Sequence, residues 1–224
     1  GVYSFSPRND VTPFFSRRIG ISGGKQIPIN AGAKLSGQIG NYEIGFIQTQ
    51  TRSIDNIKGE NFSVARVKRP FLKQSYLGLV LTDRSARDGD IDSLSLDQTL
   101  YGADLELKTS EFLGDKNLQF QSFFVFHSAP MFNNDLSISD LSTRGLRITY
   151  PNDIIRTHVS YREFGDMYSP SLGFSRRNGF KRIQPSFSYN PRPQKFDFIR
   201  QIEIGISYEH MTDLNDRMLK KQTT

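Results

Sequence analysis

Gln98–Thr109 reads QTLYGADLELKT. Side chains alternate across an extended chain, so Tyr101, Ala103, Leu105 and Leu107 share one face, while Gly102, Asp104, Glu106 and Lys108 share the other. One face is apolar and the other ionic. The same division returns at 200–210, where Ile202, Ile204, Ile206 and Tyr208 oppose Glu203, Gly205, Ser207 and Glu209. It returns at 153–163, where Ile155, Val159 and Tyr161 oppose Arg156, His158, Ser160 and Arg162, with Thr157 the one polar residue on the apolar side. Fainter copies occupy 27–36, 41–51, 61–69, 74–82, 117–127, 144–151 and 181–189. These ten segments predict an all-β chain. Two are irregular. Phe123 and Val125 fall among the polar positions of 117–127, and Pro185 removes a ladder donor from 181–189, as expected at an edge or a bulge.

The links between the segments alternate. Those at 37–40, 70–73, 110–116 and 151–152 are short; those at 52–60, 83–97, 128–143 and 164–180 are longer, and 190–199 is intermediate. Tight turns at one end and long loops at the other predict an antiparallel up-and-down transmembrane β-barrel of the outer membrane of a Gram-negative bacterium, with about ten strands in this chain. On this reading residues 1–224 are part of one barrel domain. Residues 1–26 form an entering segment or loop, 27–210 successive hairpins, and 211–224 the start of an outer loop. The first strand runs inward from the cell surface and the terminal MLKKQTT lacks an aromatic-ended closing strand, so further strands are expected before Gly1 and after Thr224. Tyr42, Tyr76, Tyr150 and Tyr189 then fall at periplasmic strand ends, and Tyr101, Tyr161 and Tyr208 at outer ends. Two tyrosine girdles suit the two membrane interfaces, because the ring favours the apolar layer and the hydroxyl favours water.

Composition narrows the alternatives. The chain has no cysteine and three scattered histidines, which argues against a disulfide framework and against a thiolate or histidine zinc centre. Its formal net charge is +6 and its pI about 9.5, but Lys and Arg alternate with carboxylates, so nucleic acid is not an expected partner. The mean hydropathy of −0.48 and the lack of a long apolar run exclude a transmembrane helix. They do not exclude a barrel, whose strands show lipid only every second residue.

The polar faces supply lumen-facing candidates: Lys34, Glu43, Asp104, Glu106 and Lys108 in the first half, and Arg147, Arg156, Arg162, Glu203 and Glu209 in the second. Three basic clusters stand out: Arg17 and Arg18; Arg66, Lys68 and Arg69; Arg176 and Arg177. Guanidinium pairs phosphate in a bidentate way, so these could form a constriction or meet lipopolysaccharide phosphates; the simpler expectation is that they neutralise Asp104, Glu106 and Glu203. Asp104 and Glu106 lie about 7 Å apart on one strand face, within the range of inverting glycosidase carboxylates. Lys108 on the same face reads instead as their counter-charge. In DGDIDS, Asp88, Asp90 and Asp92 begin like a calcium loop but lack its later glycine and glutamate, leaving a looser calcium site as the one cofactor candidate. GISGGK lacks the spacing and the Ser or Thr of a phosphate loop, and no histidine is placed to activate a serine. No catalytic motif is present.

Five stretches carry a resemblance: FFSRRIG (Phe14–Gly20), GAKLSGQIGNYEIG (Gly32–Gly45), NFSVARVKRPF (Asn61–Phe71), SYLGLVLTDR (Ser75–Arg84) and SPSLGFSRRNGF (Ser169–Phe180). They resemble the barrel region of large outer-membrane proteins of unassigned function that carry a family 9 carbohydrate-binding module ahead of the barrel, sometimes labelled membrane-associated hydrolases. That module has no counterpart here, so the resemblance transfers sugar binding to no residue. The expected role is a channel, receptor or assembly platform, with outer-membrane lipid, lipopolysaccharide, and glycans or other envelope proteins as partners. The rival is a soluble periplasmic carbohydrate-binding β module, or the non-catalytic part of a glycan hydrolase. If the faces are right, Leu105→Arg disturbs assembly more than Glu106→Arg, because arginine at mid-membrane on the lipid face costs about 2–4 kcal/mol.

Overall fold

A computed structural model describes residues 2–5, 11–22, 24–54, 57–87, 97–128, 136–193 and 199–224. Two short strands, β1 (Ile21–Ser22) and β2 (Lys25–Gln26), pair as a small separate hairpin after a 3-10 turn at Ser16–Arg18. The rest is one antiparallel sheet of 11 strands. In chain order these are β3 (Ile29–Ile39), β4 (Tyr42–Thr51), β5 (Glu60–Phe71), β6 (Ser75–Ala86), β7 (Gln98–Phe112), β8 (Lys116–His127), β9 (Ser142–Pro151), β10 (Ile155–Phe164), β11 (Phe180–Tyr189), β12 (Ile204–Thr212) and β13 (Met218–Thr223). Each strand from β4 to β12 pairs with its predecessor and its successor, so the sheet is an up-and-down meander with β3 and β13 as its edges. It is not closed into a ring. Among the described residues no helix is long and apolar enough to cross a membrane.

From β3 to β12 the strands are 9 to 15 residues long. That is well above the roughly 5–6 residues usual in globular sheets and near the roughly 9–11 that a tilted strand needs to cross a hydrocarbon layer.

Each of the ten expected segments contains a strand; β6 and β7 run on to Ala86 and Phe112, the entering segment 1–26 holds the β1–β2 hairpin, and three further differences bear on the sheet. β3 runs on to Ile39, leaving a turn of only Gly40 and Asn41. β12 begins at Ile204, so Ile202 and Glu203 precede it, and Glu203 is exposed outside the sheet. Residues 211–224 do not remain in a loop. The Asp213 carboxylate accepts the backbone N–H groups of Asn215 and Arg217, and Asp213 N–H donates to the Arg217 carbonyl; the turn so closed sends β13 back along β12. Met218–Thr223 carries no apolar alternation, so the turn, not the strand, held the signal.

Links at 40–41, 72–74, 113–115 and 152–154 cluster at one end of the sheet, and the longer ones at 52–59, 87–97, 128–141 and 165–179 at the other. The alternation stops there: 190–203 is long at the short-turn end and 213–217 short at the long-loop end. Pro185 lies in an interior strand rather than at an edge, and the β11–β12 ladder skips Gln184 and Pro185, the place where the missing donor is tolerated.

The register defines two faces. The open face carries Phe46, Val67, Leu77, Leu79, Tyr101, Phe124, Leu146, Ile148, Val159, Ile183, Phe187, Ile204 and Ile206, all exposed. Its charged residues sit near strand ends, as with Arg69 towards the short turns and Asp83, Arg144, Glu163 and Lys181 towards the long loops. The covered face carries Phe62, Val64, Arg66, Lys68, Val80, Leu100, Asp104, Glu106, Phe123, Val125 and Arg162, all buried. What covers it is the chain itself: residues 2–5, 11–19 and the 165–179 loop.

Candidate functional site

The covered face divides into an ionic zone towards the short turns and an apolar zone towards the long loops. In the ionic zone Arg66 on β5 and Asp104 on β7 meet at 2.6 Å, with both side chains fully excluded from solvent. They reach each other across β6 because the residue between them is Gly78; a Cβ there would stand 2.5 Å from both the guanidinium and the carboxylate. Tyr76 Oη donates to the second Asp104 oxygen at 3.0 Å. Glu106 is held by Lys108 Nζ at 2.6 Å and by the Gln119 and Gln121 amides at 3.2 and 2.6 Å. Both carboxylates are therefore fully engaged by cations and donors, which leaves neither placed as a free acid or base.

The N-terminal segment completes this zone. Arg66 donates to the Ser4 carbonyl at 3.2 Å and its guanidinium lies over the Phe5 ring; Lys68 Nζ donates to Ser4 Oγ at 3.0 Å and lies over the Tyr76 ring. Tyr3 fills the space above Gly45 and donates to the Leu35 carbonyl, and burial pushes its phenol above the ordinary value.

In the apolar zone, Phe123 and Val125 occupy the positions that blur the pattern of β8, and the structure supplies the reason. They pack with Phe5, Val80 and Leu100 beneath the covering segments, so here the covered face must be apolar. Leu172, from the tip of the 165–179 loop, reaches across to Phe62 and Val64 on β5. A polar latch holds the loop down. Ser169 N–H donates to His127 Nε2 at 3.0 Å, Ser171 N–H to Gln98 Oε1 at 2.6 Å, and Gln98 Nε2 to the Ser169 carbonyl at 3.0 Å. His127 Nδ1 lies 2.9 Å from the Ser128 carbonyl oxygen and 3.1 Å from Gln98 Nε2. Tyr168 is fully buried between Phe164 and His127, with no partner for its hydroxyl among the described residues, and burial pushes its phenol well above the ordinary value.

The register sets Lys34, Glu43, Arg147, Arg156, Arg162 and Glu209 on the covered face with Asp104, Glu106 and Lys108; Glu203 lies outside the strands. Of the three basic clusters, Arg66 and Lys68 turn inward, while Arg69 lies on the open face over the Tyr42 ring. Tyr76 leaves the expected girdle, because its hydroxyl serves Asp104. Tyr42, Tyr101, Tyr150, Tyr161, Tyr189 and Tyr208 lie on the open face. Asp88, Asp90 and Asp92 lie outside the described residues, and among those described no group of three His, Asp or Glu side chains is set to hold a metal ion.

The segments that carry the other two clusters meet through their phenylalanines and backbone. The tetrapeptide Phe-Ser-Arg-Arg occurs twice, at 15–18 and 174–177. The Phe15 and Phe174 rings pack edge to face at 5.5 Å, Phe174 N–H donates to the Thr12 carbonyl, and Phe15 N–H donates to the Leu172 carbonyl. Sequence reasoning treated the two arginine pairs as separate; the repeated tetrapeptide was the signal that linked them.

No protein-family model, curated protein or solved structure matches this chain.

Proposed function

We propose that the chain is a wall section of a β-barrel in the outer membrane of a Gram-negative bacterium, with its open face against lipid and its covered face towards the lumen. The observation that carries this reading is the inversion of the sheet. Leu79, Ile148, Ile204 and Ile206 are 47–59 % exposed, whereas Arg66, Asp104 and Lys68 are at most 7 % exposed. A soluble β module buries its aliphatic face and wets its ionic one, and seldom leaves more than a few hundred Å² of contiguous apolar surface bare. Hydrocarbon reverses that preference. Strand length and the tyrosines near the strand ends support the same reading.

On this reading residues 2–5, 11–19 and the 165–179 loop stop the lumen along this wall. That favours a receptor or assembly platform over an open channel. Lipid and lipopolysaccharide are the partners of the outer wall, and the resemblance to barrels joined to carbohydrate-binding modules adds glycans for the whole protein.

The test is fractionation of cells making the full-length protein, followed by denaturing electrophoresis of heated and unheated samples. Recovery in the outer membrane with a heat-dependent mobility shift is expected. Release with the soluble periplasmic fraction, without a shift, rejects the barrel in favour of a soluble glycan-binding module.

A further inference from the structure

A cavity of about 180 Å³ opens at the long-loop end of β10, β11 and β12. Phe164, Phe174, Phe180 and Met211 form its apolar walls, and Arg176, Arg177 and Arg182 bring three cations to it. Among the described residues no carboxylate lines it. The nearest one to Arg182 is Glu209, at 3.9 Å, and Glu209 is already held by Lys220 at 2.7 Å. Arg182 Nε is buried and donates to no acceptor among the described residues. Phe15, two residues ahead of Arg17, packs on the Phe174 ring of the cavity wall.

Gathered cations repel one another, and a buried guanidinium donor without an acceptor is costly; a bound anion relieves both. We propose that this cavity binds a phosphate monoester carried on a sugar-sized group. A phosphate monoester brings about −1.5 to −2 charges near neutral pH, against one for a carboxylate, and its three oxygens can engage several guanidinium forks at once. The volume falls below the roughly 300 Å³ at which pockets begin to take drug-sized ligands, so a phosphate and part of one ring fit, with the phenyl walls against the ring. The pocket chemistry stands apart from the barrel reading. The source of the phosphate rests on it, since a barrel displays its long loops where lipopolysaccharide headgroups lie, and a soluble sugar phosphate is the other source.

The test is binding of glucose 1-phosphate, inorganic phosphate and glucose to the full chain refolded in uncharged detergent, by calorimetry, alongside micelles doped with lipid A bearing or lacking its phosphates. Glucose 1-phosphate or phosphorylated lipid A should bind, and glucose and dephosphorylated lipid A should not. Arg176→Gln with Arg177→Gln, and separately Arg182→Gln, should each weaken binding by roughly tenfold or more. Arg192→Gln, which alters an exposed ion pair with Asp153, should change it less than twofold. Binding of lipid A alone identifies a headgroup; binding of the soluble sugar phosphate alone identifies a solute. Binding of glucose as tight as that of glucose 1-phosphate, binding of none of the phosphate-bearing probes, or unchanged affinity in the arginine variants overturns the proposal. Phosphate binding by a protein that fractionates as soluble would sink the barrel and leave the site standing.

Discussion

On β7, Asp104 and Leu105 are neighbours in sequence and opposites in environment. Asp104 is 1 % exposed, paired with Arg66, bonded to Tyr76 and lodged where Gly78 makes room; Leu105 stands on the open face among the leucines of β6. The buried charges Arg66, Lys68, Asp104 and Glu106 each have partners, some from strands two apart and some from residues 2–5. The open face holds aliphatic side chains with no protein against them. Ordinary soluble packing puts the same two residue classes the other way round. The ionic zone of the covered face is therefore specified by matched polar partners, and the middle of the open face by aliphatic residues with charges kept to the strand ends.

Substitutions on both faces break or sharpen that contrast. The largest effect is expected from Asp104→Ala, which strands a fully buried guanidinium and should cost about 3–5 kcal/mol in urea titrations of the folded gel band. Pairing it with Arg66→Met should recover most of the loss, because the isolated charge goes as well. Next, Leu105→Arg should cost about 2–4 kcal/mol in a lipid bilayer and far less in a purely aqueous setting, so the difference between bilayer and aqueous stability reports what the open face meets. Glu106→Arg is not the mild control its polar face suggests. Glu106 holds Lys108, Gln119 and Gln121, and an arginine there adds a cation beside Lys68 and Lys108. Lys34→Gln, on the exposed covered face of edge strand β3, is the better control and should leave assembly yield unchanged.

A smaller effect, about 1–3 kcal/mol, is expected from Gln98→Ala, which frees the Ser171 N–H and the Ser169 carbonyl. Limited proteolysis should then cut the 165–179 loop faster while the sheet survives; protection equal to the parent would mean that the remaining contacts of Leu172, Tyr168, Ser169 and Phe174 anchor the loop without Gln98. The smallest change is stabilising. Leu113 has a φ of 50° and is 79 % exposed at the β7–β8 turn, so Leu113→Gly relieves a left-handed backbone cost of about 1 kcal/mol, read as a shift in the urea midpoint.

Much of this arrangement is legible in the chain. Period-two alternation in QTLYGADLELKT assigns Asp104 and Leu105 to opposite faces with no other information, and the ten segments anticipate strands β3 to β12. The misses have physical causes. β13 was hidden because it lacks an apolar face and depends on the Asp213 turn. Phe123 and Val125 looked like errors because the segments that bury them come from far away in sequence. Tyr76 belonged by position to a girdle, yet its hydroxyl found a buried carboxylate.

The sequence by itself determined the strand count of the large sheet to within one, the two-faced character of that sheet and the ends at which most of the long loops lie, because those follow from side-chain period and local turn chemistry. Only the tertiary structure decided which charges pair, that residues 2–5 and the 165–179 loop cover the ionic face, and that the two Phe-Ser-Arg-Arg strings meet. Those outcomes depend on contacts between residues up to about 160 positions apart, such as Phe15 and Phe174, and no local periodicity carries information over that distance.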